Sequence, residues 1–141
     1  MLKNIPKILS PELLKVLCEM GHGDEIVIAD CNFPSASKAR ILIRADGISS
    51  CEILDAVLQL FPLDQYDDNN FVLMEKCSGD KADTSIWDSY KSILKKYEPN
   101  ASITFEERFD YYSRAEKAYA IVATGEESQY ANIILKKGCV L

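Results

Sequence analysis

The sequence is poor in most residues that announce a site chemistry. Among its 141 residues stands a single histidine, with no CxxC pair and no second histidine to join it, so the ligands of a zinc site are missing. No G-x-G-x-x-G, no P-loop pattern and no G-x-S-x-G occurs, which removes the signs of dinucleotide binding, a phosphate cradle and a serine-nucleophile elbow. Positive charge is in deficit, with 16 Lys and Arg against 22 Asp and Glu and a net charge of −6. No basic stripe is available to displace counterions from nucleic-acid phosphates, and Lys95-Lys96 reads as a solvated helix end. Apolar runs fall far short of the roughly 20 residues that a membrane span needs. The start, Met1-Leu2-Lys3-Asn4-Ile5-Pro6-Lys7, breaks its apolar residues with lysines and a proline, unlike a signal peptide. A cytoplasmic protein with neither nucleic acid nor membrane as partner is expected. Five cysteines, at 18, 31, 51, 77 and 139, are an odd count for a disulfide framework and predict reduced, mostly buried thiols.

What is present is an ordinary globular composition, 48% hydrophobic and 27% charged, long enough for one domain spanning residues 1–141 with a real core. Ser10 and Pro11 open a helix whose apolar stripe is Leu13, Val16, Leu17 and Met20, with Gly21 expected at its C-terminal turn. Ser49 and Glu52 form a capping box before a second apolar stripe that ends at Pro62. Helical spacing returns from Thr84 to Tyr97 and from Glu107 to Lys117. Between these stretches lie strand candidates at 26–29, 39–44, 71–74, 102–105, 118–123 and 133–135. The alternation predicts an α/β fold, a mixed sheet covered by helices on both faces, with ligands beyond the carboxyl ends of strands.

Few residues qualify for chemistry. His22 lies just past the first helix, where an imidazole either caps free carbonyls or supplies a proton near neutral pH. Asp30, eight residues on and at the end of an apolar strand, shares a pocket with it if the chain returns on itself. Asp24 and Glu25 read as solvated. In Thr124-Gly125-Glu126-Glu127-Ser128-Gln129-Tyr130-Ala131-Asn132, an extended backbone puts Tyr130 and Asn132 on one side and Ala131 on the other. A phenol and a carboxamide together suit a polyhydroxylated ligand, and a polar loop is the bland alternative.

At these residues the chain resembles the RbsD/FucU family, and within it the fucose mutarotase branch. The likeness rests on Gly21-His22-Gly23-Asp24-Glu25-Ile26, Asp30, Phe33-Pro34 and Ile43-Arg44-Ala45-Asp46-Gly47. It continues through Glu107-Arg108-Phe109 with Tyr112, Arg114 and Ala115 to Thr124-Gly125-Glu126, Tyr130-Ala131-Asn132 and Leu135-Lys136-Lys137-Gly138. Gly23, Phe33 and Arg108 follow the fucose branch, whereas Ala131 matches the ribose pyranase branch. The resemblance implies interconversion of the anomers of a free monosaccharide, L-fucose, with no cofactor and no metal. It implies His22 as catalytic acid, and Asp30, Arg108, Tyr130, Ala131 and Asn132 at the sugar. It also implies a homo-oligomer, a decameric ring with sites near subunit contacts. Ribose pyranase activity, or a non-catalytic sugar-binding subunit, is the alternative.

Overall fold

A computed structural model describes all 141 residues. Eleven elements follow in chain order: α1 (Pro11–Glu19), β1 (Glu25–Ala29), α2 (Ser35–Lys38), β2 (Leu42–Ala45), α3 (Ser50–Leu58), β3 (Phe71–Met74), α4 (Ile86–Tyr97), β4 (Thr104–Glu106), α5 (Arg108–Lys117), β5 (Ala120–Thr124) and β6 (Ile133–Lys136). Every strand expected from the sequence is present. The second begins only at Leu42, and the fifth is shifted two residues forward to start at Ala120.

Local chemistry starts the helices as expected. The Ser10 hydroxyl accepts from Leu13 N at 3.1 Å, and Ser49 and Glu52 complete a reciprocal capping box. The end of α1 departs from expectation. Met20, in an extended conformation, caps the helix, and the left-handed glycine is Gly23, with φ of +87°, and not Gly21. A distant residue replaces the glycine turn: Lys137 Nζ donates to the Leu17 and Met20 carbonyls at 2.7 and 2.5 Å.

The sheet order is β2-β5-β1-β6-β3-β4. β1, β2 and β5 are mutually parallel, β3 pairs parallel with β4, and β6 runs antiparallel to both β1 and β3. Five strands therefore point one way, and only β6 opposes them. Both faces are covered, because successive residues alternate sides. Ile26, Ile28, Val122, Leu73 and Ile133 face the larger core beneath α1, α3 and α4. Val27, Ala29, Ile121, Val72 and Ile134 face a smaller core closed by Tyr111 and Ala115 of α5 and by Phe33.

Two expectations about the surface need correction. No cysteine is buried: Cys18, Cys31 and Cys77 are exposed, and Cys51 and Cys139 are partly so. Cys18 follows Leu17 but lies off the buried Leu13–Val16–Leu17 stripe, so its apolar neighbours in sequence misled. Glu25 is not solvated, for it accepts from Arg114 Nε at 2.7 Å, with both side chains under one-fifth exposed.

The loop after β5 is tied closely to the turn after β2. Gly125 N donates to Ile48 O at 2.8 Å, and a Cβ at Gly125 would lie 2.2 Å from the Asp46 carbonyl oxygen. The nearest atoms are backbone, so one of the two loops must shift to admit a side chain. Gly125→Ala should therefore cost about 1–3 kcal/mol by overpacking, read as a lower thermal midpoint. An unchanged midpoint would show that the two loops separate freely.

Candidate functional site

With five strands parallel, the carboxyl ends of β1, β3 and β5 gather at one edge of the sheet, and the amino end of β6 joins them. Asp30 follows β1 there and Asn132 precedes β6. They bond reciprocally: Asp30 N donates to Asn132 Oδ1 at 2.8 Å, and Asn132 Nδ2 donates to Asp30 Oδ2 at 3.1 Å. Asn32 N donates to the other carboxylate oxygen at 3.0 Å. Asp30 is only 6% exposed, and this burial pushes its carboxyl above the ordinary value, against the pull of those hydrogen bonds.

A cavity of about 250 Å³ opens over this pair, lined in part by Asp30, Asn132, Phe33, Asp80, Arg108, Tyr112 and Tyr130. Its apolar wall is Phe33 stacked on Tyr112, with centroids 5.6 Å apart. Arg108 opens α5 and is the only cationic side chain on the lining; its guanidinium carbon lies 5.8 Å from the Tyr112 ring centroid. The Tyr130 hydroxyl donates to Asp80 Oδ2 at 2.6 Å and accepts from Cys77 N at 3.3 Å. The Asp80 bond pushes the phenol up to about 12 and holds the Asp80 carboxyl below its usual range. With its proton committed to Asp80, Tyr130 meets a ligand as an acceptor. The cavity thus sets carboxylate, amide and phenol oxygens beside one guanidinium fork and an aromatic wall, which is chemistry for a ligand rich in hydroxyl groups.

Four of the expected residues, Asp30, Arg108, Tyr130 and Asn132, meet at this cavity, and two do not. Tyr130 is not extended: its φ is +54°, so the phenol and the Asn132 amide reach one cavity through a left-handed turn and not through strand alternation. Asn132 serves mainly as the partner of Asp30. Ala131 is fully buried with its methyl in the larger core, and its carbonyl accepts from Tyr90 at 2.7 Å.

His22 lies at the opposite end of β1 from Asp30, and the strand between them spans about 13 Å at the usual rise per residue. Within one chain the expected return does not occur. His22 instead meets Asp64, with Nε2 3.0 Å from Oδ1, and its ring lies 5.6 Å from that of Tyr66. Burial would raise the Asp64 carboxyl, but donation from Tyr66 N and His22 outweighs it and holds the group below its usual value. An ionised Asp64 accepts the Nε2 proton, which leaves Nδ1 as the basic nitrogen of a ring 46% exposed. Sequence reasoning missed both Asp64, 42 positions from its partner, and Asp80. The one available sign was a polar turn in each case, Asp64 accepting from Tyr66 N and Asp80 from Ala82 N. No group of three or more His, Cys, Asp or Glu side chains is placed to hold a metal ion.

A six-stranded mixed sheet with a polar cavity over the β1 and β6 ends defines the architecture, and known proteins share it. The family model described as the RbsD / FucU transport protein family matches residues 3–140, and the chain belongs to that family. It is 50% identical to the fucose mutarotase of Mus musculus over 97% of this chain and 94% of that protein. The crystal structure of the fucose mutarotase in complex with L-fucose from Streptococcus pneumoniae superposes with a TM-score of 0.93, at 54% identity, over 99% of this chain and 100% of that one. Bacillus subtilis RbsD complexed with D-ribose shares the fold, with a TM-score of 0.75 at 21% identity over the full length of both chains.

Ligand binding at this cavity should depend on pH through Asp30. Its carboxyl is raised, so the ionised acceptor exists only above that raised value and is lost as pH falls through it. Affinity should therefore begin to fall at a pH above the ordinary aspartate value of about 3.9. The same shift means that ionised Asp30 is a cost to stability near neutrality, relieved as pH drops. Calorimetric titration of L-fucose across pH 4–7 checks the first part; an affinity flat across that range for the wild type and lost in Asp30→Asn would place the group's titration elsewhere.

Proposed function

We propose that this chain is an L-fucose mutarotase, a cofactor-independent isomerase that opens the sugar ring and closes it on either face. The observation that carries the reading is the buried, amide-supported carboxylate of Asp30 in a hydroxyl-seeking cavity, on a chain half identical over its length to proteins named for this activity.

Mutarotation moves one proton. A base takes it from the anomeric hydroxyl, a C=O forms as the bond from C1 to the ring oxygen breaks, and the ring oxygen receives the proton. After rotation about one bond, the reverse steps close the other anomer. No electrons or groups leave the sugar. In this reading His22 Nδ1 is the proton carrier, oriented by Asp64, and help of roughly 10²–10⁴-fold is typical of one positioned acid–base group. Asp30 and Tyr130 accept from sugar hydroxyls, Arg108 donates to them, and the stacked Phe33 and Tyr112 rings cover an apolar face. Asn132 holds Asp30 in place and Ala131 shapes the turn.

Because His22 and Asp30 stand at opposite ends of β1, one chain does not bring both to one sugar. We infer that His22 of the partner subunit completes the cavity in a homo-oligomer, the decameric ring of the family resemblance, working in the cytoplasm. The half-exposed His22 and the exposed aromatic residues Tyr66 and Phe109 suit a surface that a second copy covers.

Saturation transfer between the anomeric protons of α- and β-L-fucose should show exchange faster than in buffer, and faster than for D-ribose. Exchange equal to buffer with folded protein would favour a binding subunit. His22→Ala and Asp30→Ala should each lose most activity, yet co-refolding them in equal amounts should restore roughly one quarter of the sites, if subunits mix at random and each site draws on two chains. No recovery in mixed oligomers would place both groups in one chain.

A further inference from the structure

Tyr130, whose phenol enters the cavity, has the only positive φ of any non-glycine residue besides Asn4 near the N-terminus. A bulky aromatic residue does not stay at +54° unless its surroundings impose it. Two contacts from α4 hold the backbone on its carboxyl side. Trp87 Nε1 donates to the Tyr130 carbonyl at 2.8 Å, and the Tyr90 hydroxyl donates to the next carbonyl, that of Ala131, at 2.7 Å. Trp87 and Tyr90 are three residues apart and so share a face of the helix.

We propose that Trp87 and Tyr90 are positioning residues for the sugar site, clamping two successive carbonyls so that the left-handed turn presents the Tyr130 phenol and the Asn132 amide to the cavity. This rests on the assignment of that cavity to the sugar. The bonds from the phenol to Asp80 and Cys77 fix only the tip of the ring. They leave the direction of the Tyr130 carbonyl open, and the indole settles it. Tyr90 is itself fixed: it is fully buried, burial pushes its phenol far above the ordinary value so that it remains a donor, and Ser50 Oγ lies 2.6 Å from its oxygen. With the Tyr90 proton on Ala131, Ser50 Oγ donates to Tyr90 while Ser50 N donates to Glu126 Oε2 at 3.3 Å, and the Glu126 carbonyl accepts from Cys31 N, beside Asp30, at 2.8 Å. Both ends of the 125–132 loop are thus referred to the same carboxylate-bearing edge. Packing does not require the indole N–H, because the Trp87 ring already rests against Phe105 with centroids 5.0 Å apart.

Tyr90→Phe keeps its ring and deletes one donor; Trp87→Phe deletes the indole donor and leaves a smaller aromatic ring against Phe105, so the Tyr90 variant is the cleaner of the two. Each should raise the KM for L-fucose about two- to tenfold, the worth of one hydrogen bond. kcat should change less than KM, because the proton carrier His22 is untouched. A merely structural role would instead lower the thermal midpoint and leave KM alone, and that result overturns the clamp. A second readout needs no substitution. Trp87 is the sole tryptophan, so its emission in the unaltered protein should change on titration with L-fucose and saturate near the KM of exchange. Exchange with flat emission and unmoved KM values refutes the clamp and leaves the sugar site standing. Absence of exchange in the unaltered protein removes the sugar reading, and the clamp with it.

Discussion

The paired bonds between Asp30 and Asn132 join residues 102 positions apart, and the rest of the site is arranged around them. Burying a carboxylate is expensive unless donors replace the lost water, and here an amide, a backbone N–H and a turn supply them. The bond can form only where β6 enters the sheet beside β1 and against its direction. One antiparallel strand in an otherwise parallel sheet therefore brings a chain start to a place where strand ends collect. The cavity exists because of that reversal.

Around this pair the polar groups are committed in a definite sense. Asn132 spends its oxygen and one of its amide protons on Asp30, and Tyr130 spends its proton on Asp80. What faces the cavity is mostly acceptor, with Arg108 as the charged donor. A ligand that brings several hydroxyl protons and one apolar face satisfies such a site, whereas an anion would meet Asp30 and Asp80. The two ends of β1 carry different groups: the hydroxyl-accepting cavity lies at its carboxyl end, and the imidazole–carboxylate pair of His22 and Asp64 stands at its amino end.

The helices divide the labour in a comparable way. α5 delivers Arg108 from its first turn, and the Glu107 carboxylate caps the Phe109 and Asp110 amides beside it. α4 does not touch the cavity, yet its indole and phenol set the backbone that does. α1 is finished by Lys137 from the far end of the chain, which fixes where the His22 turn begins.

The sequence by itself determined what depends on neighbours within a turn. The Ser49–Glu52 capping box, the Leu13–Val16–Leu17 stripe and the apolar strands were all legible, because caps and periodicity act over three or four residues. Family motifs also singled out Asp30, Arg108, Tyr130 and Asn132, which do share one cavity. Only the tertiary structure decided how they meet. The left-handed Tyr130 has its carbonyl held by Trp87, 43 positions away, so no local pattern marks it. Asp64 becomes the partner of His22 only because the 63–66 segment is drawn beside the end of β6, where Leu63 bridges Lys137. The separation of His22 from Asp30 follows from strand direction: a residue before β1 and one after it lie at opposite ends, however close they stand in the chain.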